Sequence, residues 1–139
     1  YGEFLQAGQA KSRIIANEET TCGAFTMTEG TFPAGMAGPP PHFHHKTYDT
    51  FYVLEGMLHL RVGDHEIDAE PGSYVIVPPG VVHTFANTSD APVRFLNINT
   101  PAGWENYLRD LSKAIASGVM PGGDEFRKLT EPYDFEVPG

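Results

Sequence analysis

Glycine and proline residues divide this chain into short segments, and their spacing limits the folds that it can adopt. The sequence has 15 Gly and 12 Pro among 139 residues, spread along its whole length. Both residues commonly mark turns or the ends of elements, and the runs between them are rich in strand-favouring residues. Eight strands are predicted: Arg13–Ala16, Ala24–Phe32, Thr50–Glu55, Met57–Val62, His65–Ala69, Ser73–Val77, Val82–Asn87 and Val93–Asn99.

Eight short strands joined by Gly and Pro turns predict an all-β fold, either a sandwich or a barrel. The chain has the length of one ordinary domain, so we expect a single domain over residues 1–139, with its barrel at about residues 13–100. Hydrophobic residues make up 40% and charged residues 19% of the chain, and this composition argues against disorder.

One segment shows a helical period instead of a strand period. Its apolar residues stand at offsets of 0, 3, 4, 7 and 11, which places them on one face of a helix. We therefore predict a C-terminal helix over about residues 104–117, packed on the sandwich, and a tail over residues 118–139. The helical face consists of Trp104, Tyr107, Leu108, Leu111 and Ile115, and in the tail Tyr133, Phe135 and Val137 alternate. This alternation predicts an edge strand or packing across a dimer.

The charge of the chain argues against two classes of partner. Its 9 basic and 18 acidic residues give a net charge of −9 with neutral histidines. Such a surface repels phosphate backbones and anionic lipids, so we expect neither nucleic acid nor a membrane as a partner. No apolar run approaches the roughly 18 residues of a membrane span. The single cysteine cannot form an intrachain disulfide, which favours a reducing, cytoplasmic location.

A cluster of histidines is the strongest chemical signal in the sequence. Three of the six histidines, His42, His44 and His45, lie within four positions, directly after a run of prolines. Residues two apart on a strand point to the same face, so His42 and His44 converge while His45 faces away. A histidine pair at this spacing is a metal-ligand pattern. Two histidines at a polar rim are the alternative interpretation.

A second segment brings a third histidine onto a separate strand. A glycine at Gly72, a short apolar strand and a Pro-Pro-Gly turn ending at Gly80 lead to His83. A facial metal site requires a third imidazole from another strand. His83 is therefore the third candidate ligand.

These two segments resemble the paired motifs of the cupin superfamily. The first motif reads His-x-His, three or four residues, Glu, six residues and Gly, and here His42 and His44 are followed by Asp49 and Gly56. The second motif reads Gly, five residues, Pro-x-Gly, two residues, His, three residues and Asn. Its positions are filled by Gly72, Pro78, Gly80, His83 and Asn87.

Further segments are similar to the single-domain quercetin dioxygenase-like branch of that superfamily. They include Thr50–Gly56, Thr100–Glu105, the helix after Gly103 and the closing Tyr133–Gly139. The resemblance implies a cupin jelly-roll β-barrel or sandwich with a metal in its mouth. Small cupins commonly dimerise through their sheets, so it also implies a homodimer.

Carried over by position, the resemblance implies His42, His44 and His83 as metal ligands, with Asp49 at the family's glutamate position. Aspartate is shorter by one carbon–carbon bond, about 1.5 Å. Asp49 either ligates the metal or lies beside a three-histidine site. We expect one divalent transition metal per chain, but these ligand types do not discriminate among Fe, Ni, Co, Mn, Cu and Zn.

Three functions follow from this site. The first is a quercetinase-like dioxygenase acting on a flavonol-like or enolisable substrate, and the second is a zinc-type aromatic polyketide cyclase or isomerase. In the second, Asp49 or His45 is the candidate catalytic base. The third is a non-catalytic metal or small-ligand binding protein. The expected lining, with Phe51, Val53 and Phe85 on the ligand-bearing faces and no Lys/Arg cluster near the motifs, favours a small aromatic substrate.

Overall fold

The computed structural model describes residues 2–139, which form two antiparallel sheets and two helices. The strands are β1 (Glu3–Ala7), β2 (Ala10–Ala16), β3 (Thr26–Phe32), β4 (Tyr48–Glu55), β5 (Leu58–Val62), β6 (His65–Ala69), β7 (Tyr74–Val77), β8 (His83–Ala86) and β9 (Val93–Thr100). One sheet has six strands in the order β1-β2-β3-β9-β4-β7, and the other has three in the order β6-β5-β8. The helices are α1 (Trp104–Ala116) and α2 (Asp124–Thr130).

The main hydrophobic core lies between the two sheets. Along β4, Asp49, Phe51 and Val53 are buried while Tyr48 and Tyr52 are exposed, as expected for a strand with one face against a core. The core contains residues of both sheets: Phe32, Phe51, Val53, Leu58, Leu60, Ala69, Val77, Val93 and Phe95. The predicted all-β jelly-roll architecture with a C-terminal helix is confirmed.

Strand β1 lies before residue 13, where the sequence placed the start of the barrel. This strand pairs only with β2, at the edge of the six-stranded sheet, and most of its side chains are exposed. A strand stabilised by backbone pairing at an edge needs no alternation of apolar residues, so the hydrophobic pattern carries no signal for it. β2 likewise begins at Ala10 instead of Arg13.

The C-terminal part of the chain contains two helices, of which α1 packs against β1 and against α2. Helix α1 begins at Trp104 and ends at Ala116, close to the predicted bounds. Helix α2 lies within the predicted tail, where no helix was expected, because its seven residues are too few for a recognisable apolar period. The tail forms no edge strand: it makes a single β-bridge, between Phe43 and Glu136.

A second hydrophobic cluster holds these C-terminal elements together. Tyr107 of α1, Phe126 of α2 and Phe135 of the tail form its buried centre. The alternating tail residues therefore pack inward against their own chain. Within residues 2–139, neither helix has the length and apolar character required to cross a bilayer.

Candidate metal centre

A β-bridge between two separate segments brings the first two histidines together. His42 lies in an extended segment outside the named strands, and His83 is the first residue of β8. The two residues exchange backbone hydrogen bonds, with N···O distances of 3.0 Å and 2.8 Å. Their imidazole rings are 4.4 Å apart between centroids. The predicted convergence of these side chains is therefore present although His42 lies outside a regular strand.

Four side chains converge at this point. His42, His44, Asp49 and His83 each offer one ligand atom, and these atoms lie within 4.8 Å of one another. All four side chains are buried. This cluster could hold a metal ion, and it is the only such group of histidine, cysteine and acidic side chains within residues 2–139.

Backbone carbonyl groups orient the three imidazole rings. The Nδ1–H of His42 donates to the carbonyl of Pro40 at 2.8 Å, and that of His83 donates to the carbonyl of Val81 at 2.9 Å. The Nδ1–H of His44 donates to the carbonyl of Asp134 at 2.5 Å. Because a carbonyl oxygen only accepts, Nδ1 carries the proton in each ring. When such a ring is neutral, its lone pair is on Nε2, as metal-ligating histidines require.

The polar atoms at the centre of the cluster fit a cation. His83 Nε2 lies 2.9 Å from Asp49 Oδ2, and His44 Nε2 lies 3.4 Å from the same oxygen. The buried His44 Nε2 has no hydrogen-bond partner. Lone pairs that face a carboxylate oxygen repel each other unless a proton or a metal ion lies between them. Three imidazoles and a carboxylate are a donor set for a divalent transition metal.

Two asparagines of β9 fix the orientation of Asp49. The side-chain amides of Asn97 and Asn99 donate to Asp49 Oδ1 at 2.6 Å and 2.9 Å. Oδ1 is thereby saturated, and Oδ2 is the oxygen that faces His44 and His83. The two bonds therefore hold the Asp49 carboxylate in one orientation.

Burial and mutual contact change the pKa values in the cluster. Burial, together with the nearby His83, lowers the pKa of His42 to about 3, so this ring is neutral. Burial also opposes the charge of His44, but contact with Asp49 raises the pKa of His44 overall. Burial also opposes the charge of Asp49, but the adjacent His44 and His83 lower the pKa of Asp49 overall. Asp49 is therefore a carboxylate, the form that a cation requires.

His45 lies outside the cluster, as the alternation of side chains predicts. Its side chain is exposed, with Nε2 3.2 Å from a carboxylate oxygen of Glu136. Its ring also contacts the ring of Phe43, the other residue of this segment that faces away from the cluster. The role of His45 as a base stays a prediction that this position does not support.

A cavity of about 170 Å³ extends from the cluster to the space beneath α1. His42 and Asp49 lie in its wall, and most of the remaining wall is apolar or aromatic. The expectation that Phe51 and Val53 line it is wrong: neither contributes to its wall, and both are fully buried in the core between the sheets. Phe85 does line it, together with Phe32, Phe95, Trp104, Phe126 and Phe135.

Sequence reasoning missed several residues that contact the cluster. Asn97 and Asn99 are two apart on β9 and so share a face, a pattern that was visible in the sequence. Asp134 and Phe135 are about 90 positions from the histidines that they contact. No local pattern indicates such a contact.

Comparison with known protein families shows which family has this architecture. The family model described as Cupin domain matches residues 28–99, which include all four residues of the cluster. The chain belongs to the cupin family. This cupin is 28% identical to quercetin 2,3-dioxygenase of Bacillus subtilis over 120 residues, which are 86% of this chain and 35% of that protein.

Other relatives are named for a different activity. The chain is 29% identical to a glucose-6-phosphate isomerase of Thermococcus onnurineus over 98 residues, covering 66% of this chain and 52% of that protein. The chain thus spans only about a third to a half of the length of the curated relatives it matches.

Solved structures agree on the fold. KdgF from Halomonas sp. superposes with a TM-score of 0.65 at 14% identity, over 75% of this chain and 90% of that one, which shows a common fold alone. The polyketide cyclase RemF from Streptomyces resistomycificus superposes with a TM-score of 0.58 at 27% identity. That match covers 67% of this cupin and 66% of RemF.

Proposed function

We propose that this cupin is a metal-dependent enzyme acting on a small, largely apolar aromatic or enolisable substrate, with dioxygenation as its reaction. One observation carries the proposal: a buried set of three imidazoles and one carboxylate adjoins a cavity with an aromatic wall. The similarity to a quercetin 2,3-dioxygenase supports the choice of reaction.

His42, His44, His83 and Asp49 are the proposed ligands of one divalent transition metal. A metal held there would supply a Lewis acid for an enolate or phenolate oxygen, and a redox-active metal would also supply reactivity towards O2. The carbonyl groups of Pro40, Val81 and Asp134 keep the three Nε2 atoms available for this ion.

The cavity wall supports an uncharged substrate. Among residues 2–139, its lining includes no Lys and no Arg, and Asp49 is its only acidic residue. A phosphorylated sugar needs cationic or N–H donors for its phosphate, so the lining argues against the activity named for the isomerase relatives. Aromatic rings such as Phe85, Phe95 and Trp104 would instead contact a flat apolar molecule.

Asp49 is the proposed proton acceptor for a substrate hydroxyl or acidic C–H group. It lies in the cavity wall, and the Asn97 and Asn99 amides occupy its other oxygen. His45 is absent from the wall formed by the described residues, so the base role goes to Asp49 alone.

A non-redox cyclisation or isomerisation is the second candidate function. The 27% identity with the polyketide cyclase RemF supports it, and the same aromatic cavity would suit such a substrate. In this reaction the ligand set would hold zinc, and Asp49 would transfer protons without any consumption of O2.

The deciding experiment combines metal analysis with an oxygen electrode. The protein is purified without chelator, its metal content per chain is measured, and O2 uptake is followed with flavonols and β-diketones. We expect about one equivalent of a redox-active metal and substrate-dependent O2 uptake, both lost in His83→Ala. A zinc-containing protein without uptake would favour the cyclase or isomerase. A metal-loaded protein that binds these compounds but converts none would indicate a binding protein.

A further inference from the structure

The C-terminal tail lies against the histidine cluster and contacts two of its three rings. The backbone carbonyl of Asp134 accepts the Nδ1–H of His44, and the ring of Phe135 stacks on His42 with centroids 4.2 Å apart and an interplanar angle of 13°. The Nδ1–H of His83 donates instead to the carbonyl of Val81, which is not part of the tail. The three histidines are therefore oriented by different parts of the chain.

We propose that Asp134 and Phe135 are positioning residues of the metal centre, holding His44 and His42 in the orientation that binds the ion. This inference rests on the proposed metal-dependent function. The two residues lie outside residues 28–99, the part of the chain that the family model matches. The centre thus depends on a segment beyond that region.

The side chain of Asp134 anchors the tail to the loop beside His44. Its Oδ2 accepts hydrogen bonds from the backbone N–H groups of Lys46 and Thr47 at 2.8 Å and 2.9 Å, and from the Thr47 hydroxyl at 2.8 Å. Its Oδ1 accepts from the N–H of His45 at 2.5 Å. One carboxylate thus receives four hydrogen bonds from the three residues that follow His44.

These bonds determine where the Asp134 carbonyl lies relative to His44. The loop of residues 45–47 leads directly into β4, which carries Asp49. Anchoring the tail to this loop therefore ties the His44 acceptor to the backbone between two proposed ligands. Hydrogen bonds to the carboxylate hold the pKa of Asp134 low despite its partial burial, so the anchor is ionised at neutral pH.

Phe135 restricts the orientation of the His42 ring. Its ring is buried, stacks on His42 and lies parallel to the ring of Tyr107 at 5.6 Å. A rotation of the His42 ring about χ2 would break the stacking and the bond from Nδ1 to Pro40 together. Phe135 also lines the cavity, so it excludes water from the face of His42 that it covers.

The test measures metal affinity directly in Asp134→Ala, with Glu136→Gln as the matched control. The Glu136 side chain is exposed, and its backbone pairing with Phe43 does not depend on the side chain. Competition with a chelator should show Co²⁺ binding weaker by about 10- to 100-fold in Asp134→Ala, the usual cost of losing an outer partner of a ligating histidine. The Co²⁺ absorption bands should also shift, whereas Glu136→Gln should keep both affinity and spectrum.

A second readout needs no metal. The wild type should show a slowly exchanging His44 ring N–H resonance by NMR, assigned by its loss in His44→Gln. Asp134→Ala should lose or exchange-broaden this signal. If the wild type binds no metal but this signal still depends on Asp134, the proposed function fails, and Asp134 orients the His44 ring for some other purpose.

Two milder variants keep the test decisive if Asp134→Ala does not fold. Thr47→Val removes one hydrogen bond to Asp134 and retains the side-chain shape, and Phe135→Leu removes the ring but stays apolar. Both should weaken Co²⁺ binding by a smaller factor. Folded variants that lose thermal stability but keep wild-type Co²⁺ affinity, Co²⁺ spectrum and ring N–H signal would overturn the proposal and leave the tail a purely structural role.

Discussion

At the scale of single residues, His42, His44 and His83 share one arrangement: Nδ1–H donates to a backbone carbonyl, which leaves Nε2 free to bind a metal. Replacing any one by Ala removes a donor atom that no neighbour can replace. We expect each variant to bind metal more than about 100-fold more weakly, because loss of an outer hydrogen bond alone costs about 10- to 100-fold. Metal content per chain, measured on variants shown by circular dichroism to be folded, checks this. His65→Ala, outside the cluster, is the control, and equal metal content in all four variants would refute the site.

Asp49→Asn separates the two roles proposed for this residue. The amide has nearly the same shape as the carboxylate but lacks its charge and its ability to take a proton. We expect metal affinity to fall by about 10- to 100-fold and turnover to be lost, as measured by chelator competition and by product formation at saturating metal. If the metal stays bound while turnover is lost, Asp49 is a base and not a ligand.

At the scale of secondary-structure elements, β3 and β9 approach closely at Gly30, where an added Cβ would force the ring of Phe95 to shift. Gly30 lies opposite Phe95, and a Cβ at Gly30 would lie 2.8 Å from the Phe95 ring, whose other neighbours include Phe32 and Phe85. Gly30→Ala should lower the free energy of unfolding by about 1–3 kcal/mol through overpacking. Urea unfolding measures this. Gly123→Ala, where the new Cβ would meet only ordinary contacts, should have a much smaller effect.

Glu29, on the outer face of the six-stranded sheet, should make the free energy of unfolding depend on pH. Hydrogen bonds from Arg94 and Arg13 to Glu29 hold the pKa of Glu29 below its ordinary value of 4.5, although burial acts in the opposite direction. Because the folded-state pKa is lowered, this stabilisation is present above the unfolded-state pKa and disappears as the pH falls through the folded-state pKa. Glu29→Gln should therefore cost about 1 kcal/mol near neutral pH and almost nothing well below that pKa. Urea unfolding across this pH range checks the prediction, and a pH-independent difference would contradict it.

Elements with their own periodic pattern could be predicted from the sequence, and elements defined by distant contacts could not. Strand alternation placed His42 and His44 on one side and His45 on the other, and the helical period of α1 was visible from Trp104 onward. Strand β1 is an exposed edge strand and α2 is very short, so neither carries enough buried apolar residues to produce a pattern. The Asp134 and Phe135 contacts arise only when the tail folds back over the barrel.

At the scale of the whole molecule, the metal cluster lies where two hydrophobic clusters meet. The sandwich core supplies the strands that carry Asp49 and His83, and the C-terminal cluster supplies the ring of Phe135 that stacks on His42. Residues of both hydrophobic clusters line the cavity. Residues of α1 and of the tail, including Trp104 and Phe135, form part of this wall, so their positions help to determine what the cavity admits.

The outer face of the six-stranded sheet leads to the expectation of a homodimer. Tyr52 of β4 lies opposite Tyr74 of the short edge strand β7, and Ile76 lies two residues further along β7 on the same face. Tyr74 is 63% and Ile76 47% exposed. Monomers rarely expose large contiguous apolar patches, and a second copy of the chain would cover this one through a two-fold axis.

Sedimentation velocity over a range of concentrations tests this expectation. The wild type should sediment as a dimer, and Tyr74→Glu should weaken dimerisation about tenfold or more, the effect of losing one aromatic anchor of an interface. Met120→Glu is the control, because Met120 is 73% exposed but lies between α1 and α2, away from the patch. The metal cluster lies on the inner side of this sheet, so Tyr74→Glu should keep wild-type metal content. A wild type that sediments as a monomer throughout would show that the exposed tyrosines serve another purpose.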